Sequence, residues 1–218
     1  MSLIVSESGN GGGFPIIPEG TYPASCYMLV DLGLQKNEKY GNSSPKVLIG
    51  WELADEYVEI DGKKQPRVFS ARYTASLASK AILRRDLAAW RGRDFTDDEL
   101  VKFNLRNILG APCLIQIIHK TGSNGKTYAN LASVMKLPKN MPMPERTLEQ
   151  VVYDIDESPL SALDKLPEWI ANTVKLSESY KARFEAEAAK QHDKLNDIPS
   201  LDGVVQFEDY DDDDGLPF

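Results

Sequence analysis

The first part of the chain alternates apolar and polar positions with the two-residue period of β-strands. Residues 21–34 are rich in strand-forming side chains, and residues 67–74 alternate regularly. Between them, one face of residues 46–53 carries Val47, Ile49, Trp51 and Leu53. Because successive side chains of a strand point to opposite faces, this spacing predicts three strands, each with a buried face.

The period lengthens to that of a helix after residue 75. Ser76 or Ser79 is expected to cap a helix that runs to about Trp90, and Gly92 is expected to end it. Residues 96–99, Thr-Asp-Asp-Glu, have the spacing of a capping box, which predicts a second short helix through about residue 103.

Two more strands follow, over residues 113–120 and 127–135, joined by a Gly-Ser-Asn-Gly turn at residues 122–125. Three strands, a helix and two strands is the element order of the OB-fold, a five-stranded barrel that binds oligonucleotides on one face. The sequence therefore predicts a mainly β fold with α-helices. A ferredoxin-like α+β sandwich is the main alternative, but it requires a second crossover helix for which the sequence gives no signal.

Prolines 138, 142 and 144 mark a domain edge and helices are predicted beyond it, from Pro167 to about Val174 and over residues 177–195. Leu176, Tyr180, Phe184 and Ala188 form an apolar stripe that either packs on the barrel or associates with a partner or a second copy. The predicted organisation is a flexible leader (1–14), an OB-fold domain (15–145), a helical extension (146–197) and a disordered acidic tail (198–218).

Charge separates the chain into two parts. The whole chain carries −8, but residues 1–150 hold 19 Lys and Arg against 16 Asp and Glu, whereas residues 151–218 hold 6 against 17. The balance is thus +3 for the body and −11 for the remainder, and such asymmetry favours a body compatible with nucleic acid and a separate acidic tail.

Several function classes find no support. No apolar run is long enough to span a membrane, and residues 1–13 do not resemble a signal peptide, so a cytoplasmic protein is expected. Cys26 and Cys113 are predicted to be buried free thiols, and no residues have the spacing of a zinc site or a catalytic group. Residues 120–127 superficially resemble a phosphate-binding P-loop, but position 120 is Lys where that motif needs Gly. Neither enzymatic activity nor a metal or cofactor is predicted.

Basic and aromatic side chains lie interleaved in the predicted barrel, as single-strand binding without sequence preference requires. Each aromatic residue among them either stacks on a base or fills the core, and the sequence leaves both open. The candidate DNA-binding residues are Trp51, Arg72, Tyr73, Lys80, Arg84, Arg85, Trp90, Arg91, Arg93, Lys120, Lys126 and Tyr128.

The last residues resemble the C-terminal tip of bacterial single-stranded DNA-binding proteins, which docks partner enzymes. The matching residues are Asp211, Asp212, Asp213, Asp214, Leu216, Pro217 and Phe218, with Gly-Leu where the usual tip has Ile before Pro. A partner pocket with an apolar floor and a cation would hold the Phe218 ring and a carboxylate together. The alternative is an acidic end that only increases solubility.

The body resembles phage or prophage single-stranded DNA-binding proteins over about residues 15–145. This resemblance implies an OB-fold that protects single-stranded DNA during phage replication, recombination or repair in a bacterial host, with replication and recombination proteins as partners. A protein-only adaptor or DNA mimic is the alternative, and a nuclease is a third reading. The segments that carry the resemblance are 50–53 (GWEL), 89–96 (AWRGRDFT), 109–113 (LGAPC) and 125–130 (GKTYAN).

Overall fold

The computed structural model describes residues 15–37, 41–60 and 62–196, with no side-chain description for residues 191–196. The predicted leader and tail, including Asp211 to Phe218, therefore lie outside the described residues. The chain divides into two compact units, residues 1–183 and residues 184–218.

Six strands and four α-helices make up the described part of the chain. The strands are β1 (Gly20–Lys36), β2 (Ser43–Ile60), β3 (Lys63–Thr74), β4 (Pro112–Thr121), β5 (Thr127–Lys136) and β6 (Val151–Tyr153). The α-helices are α1 (Ile82–Arg91), α2 (Asp97–Lys102), α3 (Glu168–Leu176) and α4 (Glu178–Asn196), and short 3-10 helices span Leu105–Ile108 and Leu160–Lys165.

The strands form one sheet in the order β3-β2-β1-β4-β5, with every neighbour in that order antiparallel. The first part of β1, residues 20–25, pairs with β4, and residues 28–30 pair in parallel with β6. The predicted mainly β class with helices is confirmed. Strands β3 and β5 are the two edges and do not pair with each other within the described ranges, so the sheet is open there.

The signals for the helix ends are confirmed in part. Thr96 and Glu99 make both hydrogen bonds of the capping box, and Gly92 ends α1 in the left-handed conformation at φ 71°. The predicted serine cap of α1 is wrong, because the helix begins at Ile82 after Ala81, whose side chain cannot accept a hydrogen bond.

One face of the sheet packs against α1 and the loops that follow it. Trp51 lies at its centre with no exposed surface, between Phe69 and Trp90. Cys26 and Cys113 belong to the same core and are free thiols, as predicted. Burial raises the pKa of Cys26 to about 12, so this thiol stays protonated and unreactive at neutral pH.

The opposite face of β1 and β2 is covered by the chain that follows β5. Met28, Val30 and Leu48 pack there against a layer formed by β6, the second 3-10 helix and α3, which we call the C-terminal layer. Of the predicted apolar stripe, Tyr180 packs against this layer, whereas Leu176 is 70% exposed. The helical extension is therefore a second layer of the fold and gives β1 two buried faces.

A buried carboxylate fastens the incoming segment of the C-terminal layer to β2. The side chain of Glu52 accepts hydrogen bonds from the backbone N–H groups of Thr147, at 3.0 Å, and Leu148, at 3.1 Å, and from the Thr147 hydroxyl. These three donors satisfy a carboxylate that is only 3% exposed.

Gly33 lies where β1 contacts the C-terminal layer so closely that no side chain fits. Its φ is +71°, and a Cβ at this position would lie 2.6 Å from Ser177 Oγ and 2.7 Å from Ile155 Cδ1. We expect Gly33→Ala to lower the free energy of unfolding by more than about 1 kcal/mol, as measured by urea denaturation, because strain and overlap act together.

Gly62→Ala is the matched control for this change. Gly62 has nearly the same φ, +72°, but a Cβ there would meet no atom within 4 Å. The two variants share the backbone strain, so the difference between them isolates the packing conflict. Equal destabilisation by both would contradict a tight contact at Gly33.

Candidate nucleic-acid interface

Three of the predicted DNA-binding arginines are engaged with carboxylates of the segment that follows α1. Arg84 pairs with Asp94 at 3.3 Å, and both Arg91 and Arg93 bind Glu99. The Arg91 guanidinium also lies 4.5 Å from the centre of the Phe95 ring. These arginines therefore connect α1 to α2. Their assignment to phosphate contacts stays a prediction, and a phosphate would have to displace ion pairs that are already formed.

Glu99 links the connection to the capping box. Its carboxylate binds Arg93 at 2.6 and 2.8 Å and accepts a hydrogen bond from Thr96 N at 3.0 Å. Hydrogen bonds from Arg93 and from the Thr96 backbone lower the pKa of Glu99 from 4.5 to about 2. The Glu99 carboxylate therefore stays ionised where it binds Arg91, Arg93 and the Thr96 backbone N–H.

This shift predicts an acid-sensitive contribution to stability. A carboxyl whose pKa is lower in the folded state stabilises the fold above its unfolded pKa. That contribution is lost as pH falls from about 4.5 to about 2. We expect Glu99→Gln to flatten the decline of the melting temperature over this range; an unchanged pH profile in the variant would contradict the assignment.

Three of the aromatic residues that were predicted to bind DNA belong to the core. Trp51 is 0%, Tyr73 5% and Trp90 5% exposed. The Tyr73 hydroxyl donates to the buried Asp86 carboxylate at 3.1 Å, and Trp90 Nε1 donates to the Pro112 carbonyl at 2.9 Å. Burial, followed by the negative charge of Asp86, raises the pKa of Tyr73 well above its ordinary value. A base has no access to these rings, so their predicted stacking role is corrected.

The remaining predicted cations differ in their surroundings. Arg85 binds Asp86 at 2.8 Å, although its side chain is 65% exposed. Arg72 on β3 and Lys80 before α1 are exposed and make no ion pair with any described residue, but they lie on separate elements.

The other predicted residues come together in the hairpin of β4 and β5. Lys120 lies directly opposite Tyr128 across the two strands, and Lys126 stands in the turn. Both lysines are exposed and have no ion pair within the described ranges. The Tyr128 hydroxyl accepts a hydrogen bond from Asn124 Nδ2 at 2.5 Å, which fixes the ring beside the turn.

The β4–β5 hairpin also presents a face that the C-terminal layer does not cover. Alternation about the buried residues Cys113, Ile115 and Ile117 turns the intervening side chains to this second face. We call it the β4–β5 face; it carries Gln116, Ile118 and Lys120 on β4, and Tyr128, Asn130 and Ser133 on β5.

Acidic residues are absent from this region of the sequence. Residues 100–144 contain six Lys or Arg and no Asp or Glu, in a chain whose net charge is −8. Counting acids along the chain would have found this run from sequence alone. It places the open β4–β5 face in a segment whose net charge is +6.

A second hairpin carries an aromatic–lysine pair that the sequence patterns did not reveal. Strands β2 and β3 continue past a register shift between Glu52 and Tyr57 and form an arm of residues 57–66. On this arm Tyr57 is 42% exposed, and Lys64 Nζ lies 3.8 Å from the centre of its ring. The alternation of apolar and polar residues along β2 stops at the register shift, where Asp55 has φ 59°. The sequence pattern therefore did not predict that the two strands continue into this arm.

The segment before β1 connects the two hairpins. Arg67 on β3 donates to the Pro15 carbonyl, while His119 N on β4 donates to the Glu19 carboxylate at 2.6 Å. Both hairpins therefore flank the same end of β1, each with a tyrosine and lysines. This arrangement can offer two stacking platforms and several phosphate contacts at one end of the sheet.

The parts of the chain that the structure describes contain no group of His, Cys, Asp or Glu able to hold a metal ion. Among the same residues, no helix is long and apolar enough to cross a membrane. No protein-family model matches the chain, and no curated protein matches its sequence.

Proposed function

We propose that this chain is a non-enzymatic protein that binds single-stranded DNA without sequence preference, through the β4–β5 face and the arm of β2 and β3. The observation that carries the proposal is the open, acid-free β4–β5 hairpin with Lys120, Lys126 and Tyr128. The sheet order is also the one expected of an OB-fold, whose β4–β5 loop flanks the binding groove.

The chemistry of the β4–β5 face suits a strand of varying sequence. Lys120 and Lys126 are free to bind phosphates, while Tyr128 offers a ring to any base, a contact worth about 1–3 kcal/mol. Gln116 and Asn130 supply amide groups without charge, and none of the six residues that define this face is acidic.

A titration with labelled oligo-dT at two salt concentrations tests the proposal. Anisotropy of the label is the preferred signal, because Trp51 and Trp90 are buried and Trp169 packs with the C-terminal layer, so none of them lies on the β4–β5 face. Affinity should fall as salt rises, by a factor that reports the number of phosphate contacts. Absence of binding at low salt would reject single-strand binding.

The acidic end, Asp211 to Phe218, is proposed to recruit replication or recombination enzymes during phage growth in the bacterial cytoplasm. Its four aspartates would attract a basic partner, and Leu216, Pro217 and Phe218 would fill an apolar pocket. The tip thus acts as a module separate from the DNA-binding body.

Deleting residues 211–218 is expected to abolish capture of host replication proteins while oligo-dT affinity stays equal or improves, since four negative charges are removed. Pull-down and anisotropy on the same preparations measure the two activities. A large loss of DNA affinity would contradict the separation of roles.

The −11 balance of residues 151–218 favours one other function, a protein-only adaptor or DNA mimic. Such a protein would capture host replication or repair proteins and show no affinity for oligo-dT. Pull-down of host proteins and anisotropy of labelled oligo-dT therefore distinguish this adaptor from a single-stranded DNA-binding protein.

A further inference from the structure

A separate pocket lies at the other end of β5 from the Lys126 turn. It encloses about 440 Å³ between the end of α1, the segment before β4 and the segment that follows β5. Its lining is mainly apolar, and its polar members are Arg91, Lys136, Lys139 and Asn107.

The pocket is positive and has no acidic lining residue. Lys136 and Lys139 are exposed and make no ion pair within the described ranges. The Nη2 atom of Arg91 pairs with Glu99. Its Nη1 atom is shielded from solvent and has no hydrogen-bond partner among the described residues. An anionic ligand would therefore find two exposed cations, Lys136 and Lys139, whose charge no lining carboxylate compensates.

The floor of the pocket suits a flat, apolar group. Met141 is 39% and Met143 68% exposed, an unusual position for two large apolar side chains. Methionine adapts its shape and makes favourable contacts between sulfur and aromatic rings. Trp90 offers no free ring, because it is 5% exposed. The thioethers are thus the groups able to meet a base of any kind.

Continuity with the proposed DNA surface distinguishes among possible anions. Strand β5 leads from the Lys126 turn to Lys136, a distance of about 34 Å for ten residues at about 3.4 Å each. Lys136 lies opposite Cys113 and so faces the α1 side, which a strand on the β4–β5 face reaches by passing round the edge strand β5. The whole course lies within the acid-free residues 100–144. A small anion could occupy only one end, whereas an extended polyanion spans both.

We propose that this pocket binds a nucleotide of the same single strand that crosses the β4–β5 face, with phosphate on Lys136 and Lys139 and the base on Met141 and Met143. The inference rests on the proposed function and adds a second binding point, so the strand runs along β5 and passes round this edge to the α1 side. Long strands then gain an interaction that short strands cannot reach.

A length series of oligo-dT, from about 4 to about 16 nucleotides, tests this inference against the intact chain. For the wild type, affinity should rise with length until both ends of β5 are occupied. In Lys136→Glu/Lys139→Glu, short oligonucleotides should bind as in the wild type, but long ones about tenfold more weakly. The salt slope for long strands should decrease by about 1.4, at about 0.7 for each of the two phosphates that the variant no longer binds.

The variant Lys165→Glu/Lys175→Glu is the matched control, since it changes net charge equally on the C-terminal layer. Cross-linking with iodouracil-substituted strands adds a direct readout and should mark Met141 or Met143 in the wild type.

Identical length profiles for the pocket variant and the wild type, with no methionine cross-link, would overturn the inference. Failure of short strands to bind the wild type would instead reject the proposed function itself. An acidic peptide that competes only with long strands would support an anion-binding pocket, whereas a peptide that competes with no strand would count against it.

Discussion

Reversing the charge of Lys120 and Lys126 together should weaken oligo-dT binding by about two orders of magnitude at low salt. Both side chains are exposed and make no ion pair within the described ranges, so the change removes two phosphate contacts and adds two repulsive charges. Anisotropy of labelled oligo-dT measures the loss. The melting temperature should stay near that of the wild type, because neither side chain contributes to a core.

Lys165→Glu/Lys175→Glu again provides the control for net charge, since these exposed lysines lie on the C-terminal layer. If the control weakens binding as much as the hairpin variant, the effect is general electrostatics and the β4–β5 face is not the interface. Tyr128 separates stacking from charge: Tyr128→Ala removes the ring, whereas Tyr128→Phe keeps it and loses only the hydroxyl that binds Asn124. Only the alanine variant should lose affinity.

Trp51→Ala is expected to lower the free energy of unfolding by about 3–5 kcal/mol, the largest stability effect of any single substitution proposed for this chain. The ring is fully buried and lies 6.5 Å from the Phe69 ring and 6.1 Å from the Trp90 ring, measured between centroids. Its removal leaves a cavity bounded by two strands and α1. Equilibrium denaturation in urea measures the change.

Trp51→Phe is the informative companion. It keeps most of the ring and removes Nε1, a buried donor with no partner among the described residues, so its cost should be well below that of alanine. Folded Trp51→Phe should bind oligo-dT with unchanged affinity. If the folded variant lost oligo-dT affinity tenfold or more, Trp51 would have to take part in DNA binding.

Local signals in the sequence predicted most elements of the fold. The capping box at Thr96 and Glu99 and the stop at Gly92 depend only on neighbouring residues, and both form as predicted. Strand β6 has only three residues, and its pairing with Met28 to Val30 joins segments more than 120 positions apart. Local periodicity contains no information on such pairing, and the second core it creates was therefore not predicted.

The site was harder to predict because an arginine's sequence position does not reveal its partner. Arg91 and Arg93 precede Glu99 by eight and six residues, a spacing that no single helix or strand would bring together. Only the turn between α1 and α2 joins them. By contrast, the absence of acids from residues 100–144 is visible without a structure, and it marks the region where the free lysines lie.

The dependence of β1 on the C-terminal layer bears on synthesis of the chain at the ribosome. Leu34 N donates to Ser179 Oγ at 3.0 Å, and Gln35 Nε2 donates to the Thr173 carbonyl at 2.9 Å, across 145 and 138 positions of sequence. A growing chain that ends before residue 173 leaves one side of its central strand in water. Contacts of such long sequence separation form slowly. Completion of the fold is therefore expected after most of the polypeptide has left the exit tunnel, with the nascent sheet a substrate for chaperones until then.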